Sequence, residues 1–156
     1  MSALTVRPGA EDALPFLLRG ESACFPDPWG EGGIRGQLSS DVGLSLVCYS
    51  DGEPAGYLFA TLMPPDGEIL RIATLPAFRR RGVGRALLAE LFRQAGGAGV
   101  DCLFLDVRES NVPARALYAA CGFRESGRRS AYYRAPREDA ILMERKKDEH
   151  HALSGL

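Results

Sequence analysis

Asp106, Asn111 and Tyr118 combine a proton acceptor, an amide and a phenolic proton donor within thirteen residues. A carboxylate can take a proton from a reacting group, and a phenol can return one. Asn111 and Tyr118 are seven residues apart, two helical turns, so on a helix they face the same way. Asn111 also stands where a helix N-cap belongs. Asp106 lies near the carboxyl end of the apolar segment Cys102–Val107, where ligand sites of α/β sheets gather. Each residue has a plainer alternative: a cap for Asn111, an ion-paired or capping carboxylate for Asp106, and a packed helix tyrosine for Tyr118.

A second constellation is the turn Arg79-Arg80-Arg81-Gly82-Val83-Gly84, with Arg85 following. Two glycines let a ligand approach the backbone without Cβ atoms in the way. Amides at a helix N-terminus, aligned with its dipole, favour an anion, and the four arginines add charge and donors. This is the chemistry of a phosphate or pyrophosphate cradle. It is not a nucleotide P-loop, because no Gly-Lys-Ser/Thr follows, and it is not G-x-G-x-x-G. The plainer alternative is a capped helix behind a solvated arginine run.

These residues need elements to hold them. Leu4 and Val6 alternate with polar neighbours as in a short strand. Glu11 and Asp12 favour a helix start, Leu14, Leu17 and Leu18 form an apolar stripe, and Pro15 kinks that helix or moves its start. Residues 24–33 read as an irregular loop holding Phe25 and Trp29, before a second helix at about 31–38. Strands are expected at 44–49 and 55–62, joined at Asp51-Gly52, with a second turn at Asp66-Gly67 and a strand from 68 to 75. Val83, Leu87, Leu88, Leu91, Phe92 and Ala95 mark an amphipathic helix, stopped by Gly96-Gly97. A buried strand at 102–107, a helix at 111–121 closed by Gly122, and strands at 123–133 and 140–145 complete the chain. The order is that of an α/β domain: a mixed, mostly antiparallel sheet flanked by helices. One domain, residues 1–146, is expected, followed by a polar, frayed tail at 147–156.

The 156 residues, 46% hydrophobic and 25% charged, suit a globular domain that needs no disulfide or metal to fold. A net charge of −1 argues against a general nucleic-acid binder. The longest apolar run, Ala116–Cys121, is too short to span a membrane, and no signal peptide is apparent. The four cysteines are scattered and read as reduced, mostly buried thiols of a cytoplasmic protein. No metal site is expected, since the two histidines sit together at His150 and His151.

Arg79-x-x-Gly82-x-Gly84, preceded by Ile72-Ala73-Thr74-Leu75-Pro76, resembles the acetyl-CoA-binding motif of the GNAT superfamily of N-acetyltransferases. The resemblance implies that residues 79–85 (Arg79, Arg80, Arg81, Gly82, Val83, Gly84, Arg85) cradle the pyrophosphate of coenzyme A. It implies that Ile72, Ala73 and Thr74 pair with the pantetheine arm, with Asn111 also on the cofactor side. From Phe25 to Arg145 the wider pattern is similar to the RimI family, which acetylates the N-terminal alanine of a small-subunit ribosomal protein. Its more specific part is Tyr132-Tyr133 with Arg137-Glu138-Asp139-Ala140.

That resemblance implies a general base at Asp106 and a general acid at Tyr118. The family has Glu at the first position, so Asp106 is one methylene short and relay through water is favoured. Glu68, eleven residues ahead of Arg79, is a rival base by likeness to histone-type members, and its plainer alternative is a solvated strand residue. Phe25, Trp29, Tyr132 and Tyr133 are implied to clamp an extended peptide. An α-amine, with a pKa near ~8, is roughly a tenth neutral at pH 7, whereas a lysine near ~10.4 is neutral in about one molecule in 2,500. A distant, water-mediated carboxylate is adequate for the first and poor for the second, which modestly favours an N-terminal amine. Two other readings stay open: an acetyltransferase for a small amine, and a non-catalytic acyl-CoA-binding module.

Overall fold

The computed structural model describes residues 3–147. Seven strands form one sheet: β1 (Leu4–Pro8), β2 (Gly43–Ser50), β3 (Glu53–Met63), β4 (Asp66–Thr74), β5 (Cys102–Arg108), β6 (Arg124–Arg134) and β7 (Arg137–Lys146). Their order is β1-β2-β3-β4-β5-β7-β6. Every neighbouring pair is antiparallel except β4 and β5, which are parallel. The helices are α1 (Leu14–Cys24), α2 (Glu31–Ser39), α3 (Val83–Gly97) and α4 (Val112–Ala120). This is the mixed, mostly antiparallel α/β architecture expected.

Alternation along the strands divides the core into two layers. On one face α3 and α4 bury Leu87, Leu88, Leu91 and Tyr118 against Leu46, Leu58, Ile69, Leu103, Leu105 and Val107. On the other, α1 and α2 bury Phe16, Leu17 and Ile34 against Val47, Tyr57, Phe59 and Ala73. Each fully buried leucine is worth about 1.5–3 kcal/mol over an exposed one, so the stripe on α3 fixes that helix on the sheet.

Local chemistry sets the boundaries: Pro15 acts in one of the two ways expected, and two turns depart from expectation. Pro15 moves the helix start: Glu11–Ala13 form a single 3-10 turn, and α1 begins with Pro15 in its first turn, where a missing N–H costs nothing. The β3–β4 turn is Pro64-Pro65, with Met63 opposite Asp66, so Asp66-Gly67 opens β4 instead of forming the turn. Gly96-Gly97 do not stop α3; they form its last residues. The stop is Gly99, at φ +86. There Val100 N–H donates to Ala95 O at 2.9 Å and Gly99 N–H to Gly96 O at 3.3 Å, the Schellman pattern. Gly122, at φ +98, closes α4 the same way, as expected. None of the four cysteines forms a disulfide, but only Cys48 is buried; Cys24, Cys102 and Cys121 are partly exposed. The expected tail and the His150-His151 pair lie outside the described residues, apart from Lys147.

Candidate active site

The site is made by two strands that part. β4 and β5 pair from Asp66↔Cys102 to Ile69↔Leu105 and no further. Leu70 is the extra residue of a bulge, since Ile69 faces Ala60 while Arg71 faces Phe59 on β3. A bulge bends its strand and increases the twist. Beyond it, Arg71–Thr74 keep β3 as a partner on one edge only. That leaves one backbone edge of Ile72–Thr74 available to an extended amide chain.

The glycine turn lies past the end of β4. Gly82 has φ +85 and Arg80 φ +66. Gly82 is the N-cap of α3, and no side chain caps this helix end. The amides of the first turn, Val83–Arg85, therefore face an open N-terminus lined by exposed arginines. The four arginines are not equivalent. Arg79 Nε donates to Thr74 O at 3.2 Å and ties the turn to the strand end. Arg81 stacks 5.3 Å from the Phe78 ring. Gly56 permits the close approach beneath: a Cβ there would lie 2.5 Å from Ala73 O and 2.7 Å from Val83 Cγ1. At Gly84 a Cβ would lie 2.7 Å from Leu117 Cδ2, so α3 and α4 meet there.

Glu68, Phe104 and Asp106 share the sheet face opposite α3 and α4. With Met63, Arg129 and Leu142 they line a cavity of about 410 Å³. Both candidate bases are thus in one cavity. Its walls remove enough water to raise the Glu68 pKa, the charge of Asp106 raises it further, and Arg129 pulls it back. Tyr118 is 5% exposed and packs against Phe123 at 5.5 Å. Burial, then the neighbouring Tyr133, raises its pKa, which keeps the phenol protonated. Tyr133 is pushed up to about 12 by burial, by Asp106 and by Tyr132, with Arg108 opposing and Asp27 adding a little. Tyr133 thus lies within electrostatic reach of Asp106, Tyr118 and Asp27, while Tyr118 itself sits in the core layer under α3 and α4 and does not line the cavity. Asn111 caps α4, its Oδ1 accepting from Ala114 N–H at 3.2 Å.

None of the four aromatics expected to clamp a peptide lines that cavity; Trp29 lines a separate hollow with Gly33 and Gln37. Phe25 and Trp29 lie between α1 and α2. The Trp29 ring stacks on Phe59 at 5.3 Å and 16°, so it supports that loop from within the core instead of facing outward alone. Tyr132 and Tyr133 meet edge-on at 5.1 Å in an irregular stretch of β6, and Tyr132 is 48% exposed. Sequence reasoning missed the network beneath the Phe25–Trp29 loop. Glu21 is fully buried, accepts from Tyr57 Oη at 2.6 Å and from Trp29 N–H at 2.7 Å, and lies 3.3 Å from Arg71 Nε. Its signal was a charge on the apolar stripe, seven and four residues after Leu14 and Leu17. Arg129 was missed as well. Among the described residues no His, Cys, Asp or Glu cluster is arranged to hold a metal, and no helix is long and apolar enough to cross a membrane.

A bulged strand thus parts from its parallel neighbour ahead of an uncapped, arginine-rich helix start. Residues 14–123 match the model of the Acetyltransferase (GNAT) family, and the chain belongs to that family of acetyltransferases. It is 35% identical over 132 residues to the [ribosomal protein bS18]-alanine N-acetyltransferase of Salmonella typhimurium, covering 83% of this chain and 88% of that one. The crystal structure of the ribosomal-protein-S18-alanine N-acetyltransferase from Escherichia coli superposes with a TM-score of 0.85 at 31% identity, over 92% of this chain and 94% of that one. An acetyl-CoA complex of NAA60 from Arabidopsis thaliana shares the fold at 20% identity, with a TM-score of 0.85 over 94% of this chain and 99% of that one.

Proposed function

We propose that the chain transfers an acetyl group from acetyl-CoA to the α-amine of an N-terminal alanine, on a small-subunit ribosomal protein. The observation that carries the reading is one cavity, over the last paired residues of β4 and β5, that holds both Glu68 and Asp106, with the charge of Asp106 raising the Glu68 pKa. The names of the Salmonella and Escherichia relatives, both alanine N-acetyltransferases of ribosomal protein S18, support the acceptor. The open start of α3 and the one-sided edge of β4 fit the pyrophosphate and amide arm of acetyl-CoA, which supplies an activated thioester.

In this reading the first-turn amides of α3, with Arg80, Arg81 and Arg85, hold the pyrophosphate, while Arg79 braces the turn on Thr74. Ile72–Thr74 align the pantetheine. Glu68 takes the amine proton: its raised pKa brings it nearer neutrality than an ordinary carboxylate, which suits a general base. Asp106 beside it supplies the negative charge that raises that pKa. The amine nitrogen forms the new C–N bond, the C–S bond breaks, and Tyr118 gives its proton to the departing sulfur. Because an α-amine is already roughly a tenth neutral at pH 7, a carboxylate of this strength suffices. A cytoplasmic enzyme fits four cysteines that form no disulfide.

A small-amine acceptor is the second reading, favoured by the paired carboxylates in a cavity of this size. Thiol release from acetyl-CoA separates the two. The acceptors are a peptide with free N-terminal alanine, an N-terminally blocked peptide with an internal lysine, and spermidine. Turnover on the free N-terminus alone is expected, and turnover on spermidine alone overturns the reading.

A further inference from the structure

Two arginines occupy matching places on the strands that part. Arg71 follows the bulge of β4, and Arg108 ends β5. Their side chains are 12% and 15% exposed, and each grips one aromatic segment, Phe25–Trp29 or the β6–β7 hairpin. The Arg71 guanidinium carbon lies 4.0 Å from the Phe25 ring centre and 5.3 Å from that of Trp29. Nη2 donates to Asp27 O at 2.7 Å, Nε lies 3.3 Å from Glu21 Oε1, and Nη1 lies 3.8 Å from Asp27 Oδ1. Arg108 treats the β6–β7 hairpin alike. Its guanidinium carbon lies 4.2 Å from the Tyr133 ring centre. Nη1 donates to Pro136 O at 2.8 Å, Nη2 to Ala135 O at 3.1 Å, and Nη1 also reaches Glu138 Oε1 at 3.3 Å. Glu138 Oε2 in turn accepts from Ser110 N–H at 2.6 Å.

The geometry points to Arg71 and Arg108 as paired positioning residues that lock the Phe25–Trp29 and Tyr132–Tyr133 segments, proposed as the aromatic walls that meet the acceptor, to the ends of β4 and β5. A planar fork can stack on a ring and bind two carbonyls at once, which an ammonium cannot. Walls held in advance do not have to be ordered by the acceptor, so the gain lies in acceptor binding. This inference rests on the acceptor reading of the cavity.

The test uses Arg71→Lys and Arg108→Lys. Arg71→Lys keeps a cation opposite the buried Glu21 and so protects folding. A second variant, Arg71→Met with Glu21→Gln, removes that pair together. Each variant is expected to raise the KM for the alanine peptide roughly tenfold, with the KM for acetyl-CoA changed by less than about twofold. A merely structural role would move both together. Trp29, the only tryptophan of the chain, gives a readout that needs no acceptor. Acrylamide should quench it more readily in both Arg71 variants and not in Arg108→Lys. Unchanged quenching in the Arg71 variants, or parallel shifts of both KM values, overturns the inference. If the unmodified enzyme acetylates no peptide, the acceptor reading fails, while the quenching result still decides whether Arg71 clamps its wall.

Discussion

Tyr57→Phe removes one hydroxyl and leaves the ring. The ring is held by Phe16, edge-on at 6.0 Å, and by Phe59 at 5.1 Å, so packing is retained. What is lost is the 2.6 Å bond to Glu21 Oε2, between two residues that are both 0% exposed. Glu21 Oε1 keeps Trp29 N–H at 2.7 Å and Arg71 at 3.3 Å, but the other oxygen is left buried without its donor. A hydrogen bond to a charged group contributes about 1.5–3 kcal/mol. For a chain of this length each kcal/mol moves Tm by about 2–4 °C, so Tm should fall by roughly 3–12 °C. Thermal and urea denaturation followed by circular dichroism measure this, with an unchanged m-value expected. In a Glu21→Gln background the loss should shrink, giving a coupling of about 1 kcal/mol or more. A loss under about 0.5 kcal/mol, or an equal loss in both backgrounds, would refute the claim that a buried charged bond anchors the Phe25–Trp29 wall.

The raised pKa of Glu68 sets a sign. The folded chain holds that proton more tightly than the unfolded chain, so its contribution to stability is present at low pH and lost as pH rises through the folded value. Activity needs the deprotonated base and rises along the same limb. Asp106→Asn should move the acid limb of kcat/KM to lower pH and Arg129→Met should move it to higher pH; shifts in the same direction would break the assignment. Tyr118→Phe is expected to lower kcat more than it weakens acetyl-CoA binding, and an unchanged kcat in stopped-assay kinetics would make Tyr118 structural. Gly56→Ala drives a Cβ toward a backbone oxygen at 2.5 Å, whereas Gly84→Ala meets a leucine methyl at 2.7 Å that can rotate. Gly56→Ala should therefore cost more, beyond the usual 1–3 kcal/mol of overpacking, and equal urea midpoints for the two variants would contradict this.

Much of this was legible because period and punctuation agreed. The leucine spacing of α3, the Gly82-x-Gly84 turn and the Gly122 stop each have one physical solution, and the structure adopts it. Asp66-Gly67 misled because Pro64-Pro65 beside it makes the turn first, and Gly96-Gly97 because only Gly99 takes the left-handed conformation. The bulge at Leu70 leaves no mark in a run of apolar and charged residues, since it is set by pairing with β3. Glu21, Tyr57, Arg71 and Arg108 were unreadable as partners because their contacts join elements far apart in sequence. Asp106 and Glu68 stood as rivals in the sequence, and only the parallel pairing of their strands puts them in one cavity.

The most direct test is to locate the acetyl group by tandem mass spectrometry on one peptide that carries both a free N-terminal alanine and an internal lysine. The account predicts a single acetyl group on the α-amine, formed by the unmodified enzyme and lost in Glu68→Gln with Asp106→Asn. Acetylation of the lysine side chain, or undiminished α-acetylation by that double variant, would contradict it.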